Sequence, residues 1–182
     1  MLVLESCSKK LNTMKISLLI LTVSLFLAPQ TIDKRTSKKI NKEVSKVFNI
    51  DDFKLEALET DKTKNINGDF FTIKTQEIIG YCYLGMVYTS RGNNPNNDDA
   101  EFFQYFILFN KDKKIEKVKI HKYEASYGQE ITSRSWLKQF IGYNGKNNLR
   151  IGKEVDAMSG ATLSSELITI NIKQVSNTLN EL

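Results

Sequence analysis

Seven residues near the C-terminus, Asp156-Ala157-Met158-Ser159-Gly160-Ala161-Thr162, combine side-chain types suited to holding a phosphate. Gly160 and Ala161 make a turn of small residues, and Thr162 places a hydroxyl where a helix is expected to begin. A hydroxyl beside the free N–H groups of a helix N-terminus meets the positive end of the helix dipole, which favours negative charge. The pattern also reads as an ordinary helix start, with Ser159 or Thr162 as the cap and Gly160 supplying an unusual backbone angle. The two readings are compatible, because both use the same N–H groups.

Other chemistry lacks its parts. His121 is the only histidine, so a hydrolytic triad or a histidine-rich zinc site has nothing to be built from. A lone histidine at a strand end reads as an exposed side chain. Cys7 and Cys82 are the only cysteines, and Cys82 sits in an aromatic strand pattern that suits a small buried residue. There is no Gly-x-Gly-x-x-Gly turn and no Walker lysine motif. Redox or transfer chemistry must therefore come from a group added to the chain, and no metal ligands are assigned.

The elements that must position the turn follow from hydropathy patterning. Ile168, Ile172, Val175 and Leu179 recur at helical spacing, giving a C-terminal helix directly after the turn. Upstream, Ile40, Val44, Val47 and Phe48 predict a short amphipathic helix starting after Thr36 or Ser37. Residues 51–69 are mixed, with Asn67-Gly68 as a turn signal. Phe70–Ile73 and Ile78–Thr89 read as strands, Gly80 and Gly85 marking bends or bulges. Arg91–Asp99 is polar and reads as a surface loop. Glu101–Phe109 is an almost continuous apolar run, as in a strand buried on both faces. Asn110–Lys113 turns it into Ile115–Tyr123, where Val118 and Ile120 alternate with Lys117 and Lys119, a hairpin with one wet face. Ile131–Phe140, with Trp136, Leu137 and Phe140, predicts a short helix ending at Gly142, and Ile151–Val155 a brief strand. The sum is a single α+β domain: an antiparallel sheet covered by helices, with a long C-terminal helix following the turn.

A chain of 182 residues has room for one domain with a real core. Residues 1–28 read as a leader. Lys15 precedes the apolar run Ile16–Leu27, the arrangement of a secretory signal, and Met14 is an alternative start. Pro29 after Ala28 disfavours cleavage there, so an uncleaved N-terminal anchor is the alternative. Either reading places the domain outside the cytoplasm: periplasmic, secreted or membrane-anchored. Residues 29–69 are then a spacer and the N-terminal helix. The formal charge is +5, and removing Lys9, Lys10, Lys15 and Glu5 with the leader leaves 23 basic against 20 acidic residues. The lysines are interspersed with acids, which describes solvated faces and argues against a nucleic-acid partner.

Asp156-x-x-Ser159-Gly160-Ala161-Thr162 resembles the flavinylation motif Asp-x-x-(Ser/Thr)-Gly-Ala-Thr of the FMN-binding domain family. That family includes the flavin-bearing subunits of sodium-pumping quinone reductases and of Rnf electron-transfer complexes. The resemblance implies that Thr162 carries FMN covalently, esterified through its phosphate by a separate flavin transferase that uses FAD as donor. Gly160 and Ala161 would leave room for transferase and phosphate, and Ser159 would hydrogen-bond the turn or a phosphate oxygen. Asp156 would order the turn or be recognised by the transferase, since a carboxylate repels phosphate. A second stretch, His121-x-Tyr123-Glu124 with Tyr127-Gly128-Gln129-Glu130-Ile131, resembles the family's glycine-rich segment beside the flavin. It lacks the Pro-Gly-Leu-Gly form of the pump subunits, and it implies Gly128 and Glu130 as pocket residues. Trp136 reads as core.

The resemblance covers residues 70–182 and fits a small single-domain member best. It implies an extracytoplasmic flavoprotein in electron transfer, a carrier more than a complete enzyme. Its partners would be the transferase and membrane or extracytoplasmic redox donor and acceptor proteins. The alternatives are a flavin-dependent reductase of a small extracytoplasmic acceptor, and an unflavinylated ligand-binding or adhesion domain in which the motif only caps a helix.

Overall fold

The computed structural model describes residues 32–89 and 101–182, so the expected signal segment and the Arg91–Asp99 loop lie outside the described residues. Helix α1 spans Lys34–Phe48 and buries Ile40 and Val44. It begins earlier than the apolar spacing alone indicated. The Asp33 carboxylate accepts the N–H groups of Arg35 and Thr36 at 2.9 and 3.1 Å, fixing the start upstream of the first apolar residue. Asn49, at φ 55°, ends the helix by donating its N–H to the Ser45 carbonyl.

Five strands follow: β1 (Lys54–Ala57), β2 (Gly68–Lys74), β3 (Ile78–Tyr88), β4 (Phe102–Asn110) and β5 (Ile115–Glu124). They pair in chain order and antiparallel throughout, so β1 and β5 are the edges. The strands expected at β2 to β5 are all present. β1 carried no such signal: it is an exposed four-residue edge in which only Leu55 is half-buried. Of the two glycines expected at bends, Gly80 follows the Ile73/Lys74 register shift, whereas Gly85 pairs regularly with Gly68. Gly85 leaves room for the Tyr83 ring, which a methyl group would strike.

The strand period of two explains the apolar run of β4. Phe103, Tyr105, Ile107 and Phe109 enter one cluster with the C-terminal helix α3 (Thr162–Glu181), while Phe106 and Leu108 enter another with Ile40 and Val44 of α1. The sheet is thus a middle layer with α1 on one face and α3 on the other. Ile168, Ile172, Val175 and Leu179 are all fully buried, as their spacing required. Lys117 and Lys119 do not face open water as expected. Their ammonium groups reach the Glu43 carboxylate of α1 at 3.8 and 2.7 Å.

β5 carries two bulges, where β4 advances by one residue and β5 by two: Leu108/Phe109 faces Lys117 and Ile115, and Gln104/Tyr105 faces Lys122 and Ile120. The second leaves His121 as the extra residue. A one-residue insertion reverses which side chains face which way. Ile120 and Tyr123 therefore both face the α3 side, and Tyr123 stacks on Phe103 at 5.7 Å. His121 turns toward Phe106 on the α1 side and is half-buried, not exposed as its strand-end position suggested. Burial pushes its pKa down to about 4, helped by the charges of Lys39, Lys119 and Lys122 and opposed by Asp33.

The expected helix over Ile131–Phe140 is broken into a 3-10 turn (Gln129–Thr132), a single α-turn α2 (Arg134–Leu137) and a second 3-10 turn (Lys138–Phe140). Ser133 interrupts it by adopting an extended backbone and accepting the Trp136 N–H on its hydroxyl at 3.2 Å. Ile151–Val155 is a tight turn, not a strand. Gly152 donates to the Val155 carbonyl at 2.7 Å, and Arg150 pairs with Glu154 at 3.0 Å. The contiguous body extends from Ile32 to Leu182.

Candidate functional site

Thr162 is the first residue of α3, and its side chain is exposed. The residue in the capping position is Ala161, and no side chain caps the helix. The expected cap from Ser159 or Thr162 is therefore absent. Thr162 lies already inside the helix, and Ser159 is exposed two residues before Ala161. The orphan N–H groups of the first turn are left to an external acceptor.

The first turn is held from beneath. Ala161 is buried, and its N–H donates to the Met158 carbonyl at 3.1 Å. Ser165, also buried, donates its hydroxyl to the Thr162 carbonyl at 2.8 Å. Ser164 faces inward too, its Oγ 3.1 Å from the Tyr123 hydroxyl. Two inward serines thus fix the turn while Thr162 points out.

The preceding turn is clamped through its main chain. Trp136 Nε1 donates to the Asp156 carbonyl at 2.9 Å, and the Asp156 N–H donates to Gln139 Oε1 at 2.8 Å. Trp136 is core, 4% exposed, as expected, and it carries a second duty: its indole fixes where the motif begins. The Asp156 residue is exposed. It orders the turn through its backbone and leaves its carboxyl accessible. Gly160 sits at φ +80°, a conformation that L side chains adopt at a cost.

The two stretches singled out in the sequence meet here. A methyl group at Gly160 would find Glu130 Oε1 as its nearest neighbour at 3.9 Å, so Glu130 flanks the turn and the space over Gly160 is otherwise open. A methyl at Gly128 would lie 2.6 Å from Ser164 Oγ and 2.9 Å from the Tyr123 hydroxyl. Gly128, at φ +88°, is therefore the point where the 127–131 segment closes on the first turn of α3. The Tyr123 hydroxyl also donates to the Tyr127 carbonyl at 2.6 Å. Burial raises the Tyr123 pKa and the Ser164 hydrogen bond opposes it, while the charges of Glu130 and Glu101 add to the rise.

Asp156, Ser159, Gly160, Ala161, Thr162, Gly128 and Glu130 thus gather around one helix N-terminus. His121 does not join them, since it lies on the other face of the sheet. Tyr123 and Ser164 are the tie that sequence reading missed. The legible signal was Ser164 itself, which stands four residues before Ile168 and eight before Ile172, a polar residue ending a buried apolar stripe.

Chemically, the site offers an exposed hydroxyl beside uncapped N–H groups. Among the described residues Thr162 Oγ1 has no hydrogen bond to a base. A neutral hydroxyl without a base is a poor nucleophile, so esterification of Thr162 requires an outside catalyst. Comparison with protein-family models matches residues 101–177 to the FMN-binding domain. That span contains β4, β5, the 127–131 segment and the motif turn. No curated protein matches the chain.

Proposed function

We propose that this protein, whose residues 101–177 match the FMN-binding domain family, carries FMN covalently on Thr162 and works as an electron carrier outside the cytoplasm. One observation carries the reading: the threonine of the motif stands exposed at the first position of a helix that no side chain caps. A phosphate esterified there would receive the N–H groups the fold leaves without acceptors.

The residues fit that group. Gly160 leaves the approach to Thr162 open, and Gly128 lets the neighbouring segment close against Ser164. Ala161 and Ser165 hold the helix end rigid under the attachment point. Bound flavin supplies one- and two-electron redox chemistry. The chain's part is positioning. Glu130 borders the turn at Gly160, Tyr123 fixes the floor through Ser164, and Asp156 is free to be recognised by the transferase. In the attachment step Thr162 Oγ1 loses its proton and bonds to the FMN phosphorus of FAD, and AMP leaves. The apolar segment Ile16–Leu27 supports placement outside the cytoplasm, where a dissociable cofactor would be lost by diffusion. The partners of this reading are a flavin transferase, a membrane or extracytoplasmic electron donor, and an acceptor protein.

The test is the intact mass of the full chain after co-expression with a flavin transferase. The expected result is a gain of one FMN less one water that survives denaturation and is missing from Thr162→Val. An unmodified wild-type mass would reduce the motif to a helix start and remove the covalent reading.

A further inference from the structure

The excess positive charge of this chain is concentrated on α1. Of 26 basic and 21 acidic residues, Lys34–Phe48 holds six and one, which leaves 20 of each elsewhere. The formal charge of +5 is therefore the charge of this one helix. At about 100° per residue, Lys34, Arg35, Lys38, Lys39, Lys42 and Lys46 fall within an arc of about 140°. All six are exposed. Ile40 and Val44 lie on the opposite side of the helix, packed on the sheet. Glu43, the one acid, turns inward to Lys119 at 2.7 Å and Lys117 at 3.8 Å, and it pairs with none of the six.

Lys39 Nζ donates to the His121 carbonyl at 2.9 Å. The side chains of Lys34, Arg35, Lys38, Lys42 and Lys46 have no hydrogen bond or ion pair among the described residues. Like charges this close repel one another, and an anionic surface that meets them together relieves the repulsion. The chemistry of the arc selects the kind of surface. It holds no apolar side chain, whereas protein interfaces are built around a desolvated core depleted of charge. A convex row of cations without such a core matches a layer of headgroup phosphates, which asks for charge and not for shape. The chain also brings the helix to such a layer. Six residues separate Leu27, the end of the apolar run, from Lys34, a link of no more than about 25 Å when extended.

We propose that α1 lies along an anionic lipid surface, with its outer cations on the phosphates of acidic headgroups and its apolar side kept on the sheet. The helix does not insert, because Ile40 and Val44 already pack with Phe71, Phe106 and Leu108. The contact is electrostatic, so salt weakens it. α1 and α3 cover opposite faces of the sheet, and the docked protein therefore turns Thr162 away from the bilayer. The inference stands apart from flavin attachment and holds equally for a chain whose Thr162 is unmodified.

The experiment is lysine footprinting of the full chain with a water-soluble acylating reagent, read residue by residue by peptide mass. It compares vesicles of phosphatidylcholine alone with vesicles that also contain about 30% phosphatidylglycerol. The expected result is that Lys34, Lys38, Lys42 and Lys46 react about tenfold more slowly on the anionic vesicles at low salt, and at their free rate on the neutral ones. Lys146 and Lys153, whose neighbours Gly145 and Val155 pack on the α3 side, should react alike on both. Replacing Lys38, Lys42 and Lys46 together by Gln should remove the protection of Lys34 and leave the far-UV spectrum unchanged, since none of the three side chains is paired. Equal protection on neutral vesicles would mean that the apolar segment alone brings the chain to lipid, and would overturn the proposal. So would protection that survives the triple substitution, protection spread equally to Lys146 and Lys153, or no protection at all. Protection by soluble glycerophosphoglycerol or by duplex DNA, with none by the anionic vesicles, would overturn it in favour of another anion.

Discussion

At the scale of single residues, the site depends on two glycines for different reasons. Gly128 combines a positive φ with contact, because a methyl there meets Ser164 Oγ at 2.6 Å. Gly160 has a similar φ but open space around it. Gly128→Ala is therefore expected to destabilise the fold by about 2–3 kcal/mol, strain and overlap together. Gly160→Ala is expected to cost about 1 kcal/mol, from strain alone. Denaturant unfolding of the two variants side by side checks the order. If Gly160→Ala proves the costlier, the space over the turn is not open.

At the scale of elements, the broken helical stretch between Gly128 and Gly142 is a scaffold for the motif turn. Its α-turn presents Trp136 and its second 3-10 turn presents Gln139, one donating to and one accepting from the backbone of Asp156. A regular helix through Ile131–Phe140 would be a different surface. Trp136→Phe keeps an aromatic ring in the core but leaves the Asp156 carbonyl without its donor. The expected loss is about 1 kcal/mol, with faster amide exchange in residues 156–161. Unchanged exchange would show that the indole bond does not order the turn.

At the scale of the whole molecule, the sheet separates two environments. The α3 face holds the motif, and the α1 face holds His121 with Lys39, Lys119, Lys122 and Asp33 around it. The His121 pKa is about 4 in the folded protein, below the ordinary value of 6.5. Between those values the unfolded chain binds a proton that the native state refuses, so stability falls as pH drops from 6.5 toward 4. Glu43 acts lower in the scale. Burial raises its pKa, but the Lys119 hydrogen bond and the charges of Lys119, Lys117 and Lys46 outweigh that and lower it, so its contribution is lost below the ordinary carboxylate range. His121→Gln is expected to flatten the stability profile between pH 6.5 and 4 and to leave the more acidic limb in place. Denaturation midpoints across that range measure it, and an unaltered profile would assign the acid loss to other groups.

Local sequence determined much of this protein. The 3.6-residue spacing of Ile168, Ile172, Val175 and Leu179 is enough to make a buried helix face, and the apolar run of β4 is enough to require cover on both sides of a sheet. The motif turn was equally legible, because small residues and hydroxyls before an apolar stripe have a local meaning. What only the tertiary structure decided is non-local. The inserted His121 changes the facing of everything after it on β5, and a bulge is set by pairing with β4 that no run of β5 residues announces. That reversal puts Tyr123 under Ser164, where Gly128 closes on both, and sends the only histidine to the opposite face. The missing helix cap is decided the same way. Ser164 turns inward to Tyr123, 41 residues away, and Ser165 to the Thr162 carbonyl, and the helix start is left open above them.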